Sequence, residues 1–334
     1  MKKRSALLWI AFGVLLIAVF FLSLAAGRFA IAPGEVCDIL MRAAGGNAGS
    51  DMASTVVLEL RLPRTLLAML VGAALSLSGA VYQGIFRNPL VSPDVLGVSS
   101  GAGFGAVLGI LIWGTGTGTS VIAFVCGMAS VGLAYYFSRS RGSVSMMSLV
   151  LSGIIISSIF SALISLVKYA ADPYDKLPAI TYWLMGSFTG ASYRKLLIGT
   201  PMILIGTALI YLLRWQFNIL SLIEDEARAS GIHLKRMRIL LVLAITMITA
   251  SSVSMCGQVG WVGLLIPHCA RMMTGSNNRL VIPMSISLGA SFLILIDTLS
   301  RTLTVIELPL SVLTAILGAP FFILLLKRSE RSFR

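Results

Sequence analysis

The sequence predicts an all-α polytopic membrane protein with about ten transmembrane helices. Three observations predict this fold class: 57% of the 334 residues are hydrophobic, only 12% are charged, and the apolar residues cluster in long runs. A soluble protein carries about 25% charged residues, and a chain this apolar has too little polar surface left to face water. We therefore expect a single transmembrane domain over residues 1–334, surrounded mainly by lipid.

The individual helices follow from the thickness of a bilayer core, about 30 Å, which requires about 20 apolar residues per span. Runs of this kind are residues 6–27, 64–82, 95–113, 121–137, 146–167, 196–213, 239–256, 259–273, 281–300 and 309–326. The first run follows Lys2, Lys3 and Arg4, as the apolar part of a signal peptide does. It is longer than that part usually is, so we expect an uncleaved span.

The net charge of +13 indicates the orientation of the chain. In a soluble protein it would favour nucleic acid as a partner. With a cytoplasmic N-terminus, ten spans return the C-terminus to the cytoplasm, and 17 of the 26 basic residues and 5 of the 13 acidic residues then lie inside. The net charge is +12 inside and +1 outside. Basic loops face the cytoplasm, so the charge predicts cytoplasmic termini and requires no nucleic acid.

No catalytic or nucleotide-binding motif occurs in the sequence. The phosphate-binding pattern G-x-x-x-x-G-K-[ST] is absent, so any ATP must be bound by another chain. The segment that begins at Gly101 resembles a dinucleotide-binding motif, but it lies inside a predicted span. The four-residue spacing of Gly101, Gly105 and Gly109 instead indicates close helix packing. The two histidines and four cysteines suggest neither a metal site nor a disulfide framework. We expect no cofactor, no metal and no enzymatic activity of the chain itself.

Polar residues within the predicted spans each allow two interpretations. Asp297 lies one helical turn before Arg301, which favours an ion pair; a proton or cation relay is the alternative and requires further buried acids. Ser158, Ser161 and Ser165 lie along one face of the fifth span. They either bond to carbonyls of their own helix or form a mildly polar pathway wall, which suits a large, partly polar solute better than a bare ion.

Motifs in both halves of the chain carry a family resemblance. They are RLPR at residues 61–64, RNPLVSPDVLG at 87–97, YWLMGS at 182–187, GWVGLLIPH at 260–268, ELP at 307–309 and TAILGAP at 314–320. Over about residues 55–328 the chain resembles the FecCD-type (BtuC-like) permeases of iron-siderophore, haem and vitamin B12 ABC importers. The resemblance implies a ten-helix permease built from two inverted repeats, about residues 1–190 and 191–334.

The resemblance also implies partners and a substrate. The partners are two ATP-binding-cassette ATPase subunits, a second permease subunit that is identical or homologous, and an extracytoplasmic solute-binding protein. The chain would lie in the cytoplasmic (inner) membrane of a prokaryote and translocate an iron-siderophore-type chelate. Cobalamin, haem or an oxyanion are alternative substrates. An ion-coupled secondary transporter is the alternative of a different class.

The resemblance implies two candidate sites for contact with partner proteins. The resemblance implies that binding-protein docking uses Arg61, Arg64 and Arg301, since a guanidinium binds a carboxylate at two points; the alternative is snorkelling at the membrane interface. For ATPase coupling it implies a cytoplasmic loop at about 217–238. The coupling residues within this loop are Glu224, Asp225, Glu226, Ala227, Arg228 and Gly231. A solvated charged loop without a partner is the alternative.

The third candidate site is the pathway with its gate. The resemblance implies a constriction at the start of the fifth span, formed by Ser145, Met146 and Met147, because flexible methionines can close a gap by packing. The three serines further along the span would continue the pathway. His268 follows Pro267, and we interpret it as a structural residue bonded to a backbone carbonyl rather than as a metal ligand.

Overall fold

The computed structural model describes residues 2–332 except 48, 50, 141–142, 221–232 and 276; at residues 2–8, 140, 143–144, 215, 218–220, 325–326 and 328–332 it describes the backbone alone. The helices are α1 (Lys2–Ala25), α2 (Pro33–Ala44), α3 (Met52–Thr55), α4 (Leu62–Ile85), α5 (Val98–Trp113), α6 (Thr117–Ser138), α7 (Met146–Ala170), α8 (Lys176–Leu184), α9 (Tyr193–Leu220), α10 (Leu234–Cys256), α11 (Val262–Thr274), α12 (Asn278–Thr302) and α13 (Leu310–Ser332). Two short antiparallel strands, β1 (Arg139–Ser140) and β2 (Ser143–Val144), connect α6 to α7.

All ten predicted spans lie on helices, and the all-helical membrane fold is confirmed. Six helical segments within the described residues are long and apolar enough to cross a membrane, and shorter apolar helices accompany them. The sequence analysis did not predict α2 and α8. These helices have 12 and 9 residues, too few to cross a bilayer core, so a search for long apolar runs passes over them.

The helix of the second span begins twelve residues before its predicted start. Asp51 caps α3, accepting a hydrogen bond from the backbone N–H of Ser54, and one π-helical turn, Val56–Arg61, joins α3 to α4. Pro63 lies directly after this turn. A proline lacks an N–H and its ring crowds the carbonyl four residues earlier, and the wider turn allows the chain to continue as a helix.

The most buried helices are α4 and α10, which form the centre of the bundle. In the most apolar part of each span, 78% of the residues are buried in Met52–Ile85 and 78% in α10. In α7 the buried share is only 17%. Helix α4 packs against α9, α10, α11 and α12. Helix α7 thus lies at the periphery, with most of its surface uncovered by the rest of the chain.

Glycines set the closest helix contacts, as the four-residue spacing predicts. A Cβ atom placed on Gly101, Gly105 or Gly109 would collide with α6, and one on Gly72 would collide with the carbonyl of Gly289 on α12. Small residues let helix backbones approach where lipid offers no hydrophobic driving force for association. The glycine spacing therefore permits the close contact of α5 with α6.

Candidate functional site

The three predicted docking arginines meet at one end of the bundle, which we call the Arg64 end. Arg61 and Arg64 lie where α4 begins, and Arg301 lies in the last turn of α12. A Cβ atom on Gly27 would touch the guanidinium groups of both Arg61 and Arg301. The tertiary structure thus joins residues that are about 240 positions apart in the chain.

Arg61 and Arg301 have hydrogen-bond partners within the chain. Arg61 donates to the carbonyls of Leu24 (2.6 Å), Ala25 (2.9 Å) and Phe29 (2.5 Å), and only 6% of the residue is exposed. Arg301 donates to the carbonyls of Ala26 (2.6 Å) and Ser23. Carbonyls left free where α1 ends are thereby satisfied, so both arginines fix the end of α1 to the bundle.

Arg64 binds two carboxylates. Its Nη2 lies 2.8 Å from Oδ1 of Asp297, and its Nη1 lies 2.8 Å from Oε1 of Glu307. The predicted pair of Asp297 with Arg301 is present at 3.6 Å, longer than the contact with Arg64. Asp297 is fully buried, and its pairs with Arg64 and Arg301 offset part of the cost of burying a carboxylate.

Glu307 is the functional candidate that the sequence analysis missed, although its ELP motif was part of the resemblance. It lies in the loop between α12 and α13, and its side chain is 28% exposed. Its Oε2 also accepts a hydrogen bond from the hydroxyl of Thr189 at 2.7 Å. Burial raises the pKa of Glu307, but the hydrogen bonds from Arg64 and Thr189 and the charges of Arg64 and Arg301 outweigh it, so its pKa lies below the ordinary value.

The loop that carries Glu307 exposes apolar side chains at the Arg64 end. Leu303, Val305 and Ile306 are 59%, 84% and 80% exposed. Arg28 donates hydrogen bonds to the carbonyls of Thr304 and Val305 and so fixes the loop tip. An exposed apolar group rimmed by charged residues is typical of a protein interaction surface.

The predicted pathway residues lie on the peripheral helix α7. Ser158, Ser161 and Ser165 are exposed on one face, and the hydroxyls of Ser158 and Ser165 each donate to the carbonyl four residues earlier at 3.0 Å. Both interpretations of these serines are thus compatible with the geometry. Back-bonding satisfies the hydroxyl proton, and an exposed oxygen remains available as an acceptor.

The predicted gate lies where α7 begins. The hydroxyl of Ser145 caps α7, accepting from the backbone N–H of Ser148 at 3.0 Å. Met147 is 69% exposed and Met146 is partly buried against the core. The residues predicted for ATPase coupling, Glu224 to Arg228 and Gly231, lie outside the described residues.

A cavity of about 320 Å³ lies beside α7, between α8, the end of α10 and the start of α13. Its lining includes Asp94, Lys168, Thr181, Gln258 and Ser311. The carboxylate of Asp94 accepts a hydrogen bond from the hydroxyl of Ser99. The wall therefore offers charges of both signs together with neutral donors and acceptors.

The interpretation of His268 as a residue bonded to a backbone carbonyl needs correction. Its Nε2 is buried and has no hydrogen-bond partner among the described residues. The ring packs against Phe322 of α13, with the ring centroids 5.8 Å apart. The residue is structural, but it acts through aromatic packing.

The fold defines a class, that of multi-pass helical membrane proteins. The profile of the FecCD transport family matches residues 15–328. The chain belongs to this family and is the permease subunit of an ABC importer, not itself an ATPase.

Three similar proteins illustrate the relationship. The molybdate import system permease MolB of Haemophilus influenzae is 40% identical over 326 residues, which is 96% of each chain. The Fe(3+)-citrate import system permease YfmE of Bacillus subtilis is 33% identical over 336 residues, covering 99% of this chain and 97% of that protein. A solved structure of an ABC transporter in an inward-facing conformation matches with a TM-score of 0.86 at 37% identity, covering 97% of this chain and 99% of the other.

Proposed function

We propose that this permease translocates an iron-siderophore-type chelate across the cytoplasmic membrane of a prokaryote, energised by two separate ATPase subunits. The observation that carries the proposal is the uncovered face of α7, where hydroxyls alternate with apolar residues such as Ile155 and Ile159. Such a face would bind a large, partly polar solute only weakly, so the solute could pass along it. A bare ion would require converging charges or carbonyls.

The mixed polarity of the 320 Å³ cavity supports the same substrate class. Lys168 would attract a bare oxyanion and Asp94 would repel it, whereas a chelate presents oxygens, amides and apolar rims that match both charges and neutral groups. The similarity to a ferric-citrate permease favours iron. The similarity to a molybdate permease makes an oxyanion the main alternative, and cobalamin and haem are the others.

The exposed faces of α7 and α13 support a second permease subunit as a partner. Helix α13 exposes Ile316, Phe321 and Leu324, and α7 exposes Leu151 and Ile155. Two such chains facing each other would enclose the serine face of each α7 as a pathway. We propose this arrangement for an identical or homologous partner.

Docking of the solute-binding protein is proposed at the Arg64 end, which the charge distribution of the sequence orients outward, with cytoplasmic termini. Arg61 and Arg301 hold the site together through their carbonyl partners. Arg64 would meet an acidic group of the binding protein, with the exposed loop of Leu303, Val305 and Ile306 beside it. Coupling to the ATPases is proposed for the loop that contains Glu224 and Gly231.

The test is transport by the reconstituted complex. Proteoliposomes containing the permease, its ATPase and its binding protein should accumulate a ferric chelate when ATP is supplied, and not cobalamin, haem or molybdate. Accumulation of one of those instead would reassign the substrate. Uptake driven by an ion gradient with no ATPase present would establish a secondary transporter.

Two variants test the partner sites. Arg64→Glu should weaken capture of the binding protein without loss of the assembled permease, and unchanged capture would remove the docking assignment. Gly231→Trp should uncouple or dissociate the ATPase. Undiminished transport-linked hydrolysis in that variant would count against the coupling assignment.

A further inference from the structure

A second cavity, of about 600 Å³, lies on another side of the bundle. Its walls are α6, α8, α9 and the end of α10. Its mouth, at the exposed lining residues Thr117, Ser192 and Arg194, is at the Arg64 end, where the lining residue Thr189 donates a hydrogen bond to Glu307. The described lining includes no residue of α7. The cavity therefore does not include the serine face of α7 that is proposed as the pathway.

The two charged residues in the described lining of this cavity are both basic, and Glu307, which is hydrogen-bonded to the lining residue Thr189, is already paired with Arg64. Arg194 and Lys195 line its mouth, and the lining contains no Asp or Glu among the described residues. Neither cation forms an ion pair within the part of the chain that the structure describes. The side chain of Lys195 is half-buried and has no carboxylate partner among the described residues, so this part of the cavity complements an anion.

The polarity of the cavity changes with depth. The polar lining residues lie near the starts of α6 and α9: they are Thr117, Ser120, Ser192, Arg194 and Lys195. The apolar residues Phe124 and Met202 line the cavity wall one to two turns further along these helices. At 1.5 Å per residue, Met202 lies about 10 Å below Lys195 along the helix. An anionic head group at the mouth and a hydrocarbon chain below would match this gradient.

The hydroxyls of the deeper wall are already occupied. Ser251 donates to the carbonyl of Gly199 at 2.9 Å, and Ser254 donates to the carbonyl of Ser251 at 2.8 Å. The depth of the cavity therefore offers mainly apolar atoms to a ligand, together with the free surface of Phe124 and Met202.

The cavity borders surfaces that would face lipid. Helix α6 exposes Val121 and Val125, and helix α9 exposes Leu197 and Ile205, with exposures of 49%, 55%, 75% and 56%. A lipid molecule in the surrounding leaflet could enter between these helices without crossing water. A soluble anion would instead leave the apolar part of the cavity unfilled.

We propose that this cavity is a binding site for one anionic phospholipid. The phosphate is held by Lys195 and Arg194 at the level of the outer head groups, through charge-assisted hydrogen bonds, and one acyl chain lies against Phe124 and Met202. The bound lipid joins α6 to α9 across the cavity. The proposal does not depend on the substrate, the docking site or the coupling loop.

The experiment compares lipids bound to the purified full-length permease. Native mass spectrometry would measure retention of phosphatidylglycerol, phosphatidylcholine and inorganic phosphate by the wild type, by the double variant Arg194→Gln/Lys195→Gln and by Met202→Trp. Arg214→Gln, at the other end of α9, is the matched charge control. We expect the wild type and Arg214→Gln to retain phosphatidylglycerol at least fivefold more than phosphatidylcholine, and both test variants to lose this preference.

Three results would overturn the proposal. Equal retention of the two lipids by the wild type would show that charge plays no part. An unchanged preference in the double variant would place the lipid elsewhere. Binding of inorganic phosphate as strong as that of phosphatidylglycerol, unaffected by Met202→Trp, would make the cavity a site for a soluble anion. Melting temperatures of all variants with and without phosphatidylglycerol separate loss of binding from loss of folding.

Discussion

Arg64 and Glu307 form a two-point ion pair: Nη1 donates to Oε1 at 2.8 Å and Nη2 donates to Oε2 at 3.0 Å. This is the geometry in which a guanidinium binds a carboxylate most specifically. Glu307 thus occupies the guanidinium group of Arg64, which is the group proposed to bind an acidic residue of the binding protein. Docking at Arg64 then requires that Glu307 be displaced or that the two carboxylates share the guanidinium.

Glu307→Gln should strengthen capture of the binding protein by a few-fold, because the charge that competes for Arg64 is removed while the shape of the side chain is kept. Surface plasmon resonance with immobilised permease in nanodiscs would measure the change. Glu59→Gln, which alters a carboxylate on the π-helical turn, is the control. Weaker capture by Glu307→Gln would mean that Glu307 itself contributes to docking.

The ion pair of Glu307 should remain intact at mildly acidic pH. The pKa of Glu307 in the folded chain lies below its ordinary value of 4.5, so its contribution to stability is present above that value and is lost as the pH falls through the lowered pKa. The difference in melting temperature between wild type and Glu307→Gln should be constant from about pH 8 to pH 6 and disappear in stronger acid. A difference that already declines near neutral pH would contradict the lowered pKa.

Asp297→Asn should destabilise the permease by about 3–5 kcal/mol, because it leaves the largely buried Arg64 and Arg301 without their shared counter-charge. Denaturation in detergent micelles would measure the loss. Glu307→Gln is the comparison and should cost less, since Glu307 is partly exposed whereas Asp297 is buried. If the two substitutions lowered the free energy of unfolding equally, the burial of Asp297 would make no difference to the stability of its ion pairs.

Gly105→Ala should lower the melting temperature, because its Cβ would meet the carbonyl of Ile122 and the side chain of Cys126 on α6. Overpacking of this kind costs about 1–3 kcal/mol. Gly132→Ala, on α6 itself, is the matched control, since a Cβ atom there meets nothing within 4 Å. Its melting temperature should be unchanged or slightly higher, and a fall as large as that of Gly105→Ala would argue against close packing as the cause.

Ser158→Cys should react with a charged, membrane-impermeant thiol reagent in the assembled transporter, if α7 lines a water-filled pathway. Val125→Cys, on the exposed face of α6, should stay unreactive because lipid excludes the reagent. Both variants need a background without Cys37, which is exposed. Labelling followed by mass spectrometry gives the reactivity, and similar values at the two positions would place the serine face in lipid.

The sequence by itself determined the membrane fold, the ten apolar segments and the family. Apolar runs and glycine spacing are local patterns, and lipid selects helices because every backbone polar group must be satisfied within the segment. The RLPR and ELP motifs identified the family, but their spacing could not tell that Arg64 binds Glu307, 243 residues later.

The tertiary structure decided which polar residues have a partner within the chain and which can still bind a ligand or another protein. Asp297 is four residues from Arg301 in sequence, yet its shorter contact is with Arg64, because packing of α4 against α12 sets the distance. Arg61 and Arg301 carry the same charge as Arg194 and Lys195. Arg61 and Arg301 donate hydrogen bonds to carbonyls at the end of α1, whereas Arg194 and Lys195 line an open cavity. A partner contributed by another helix is a property of packing, and no local pattern in the chain encodes it.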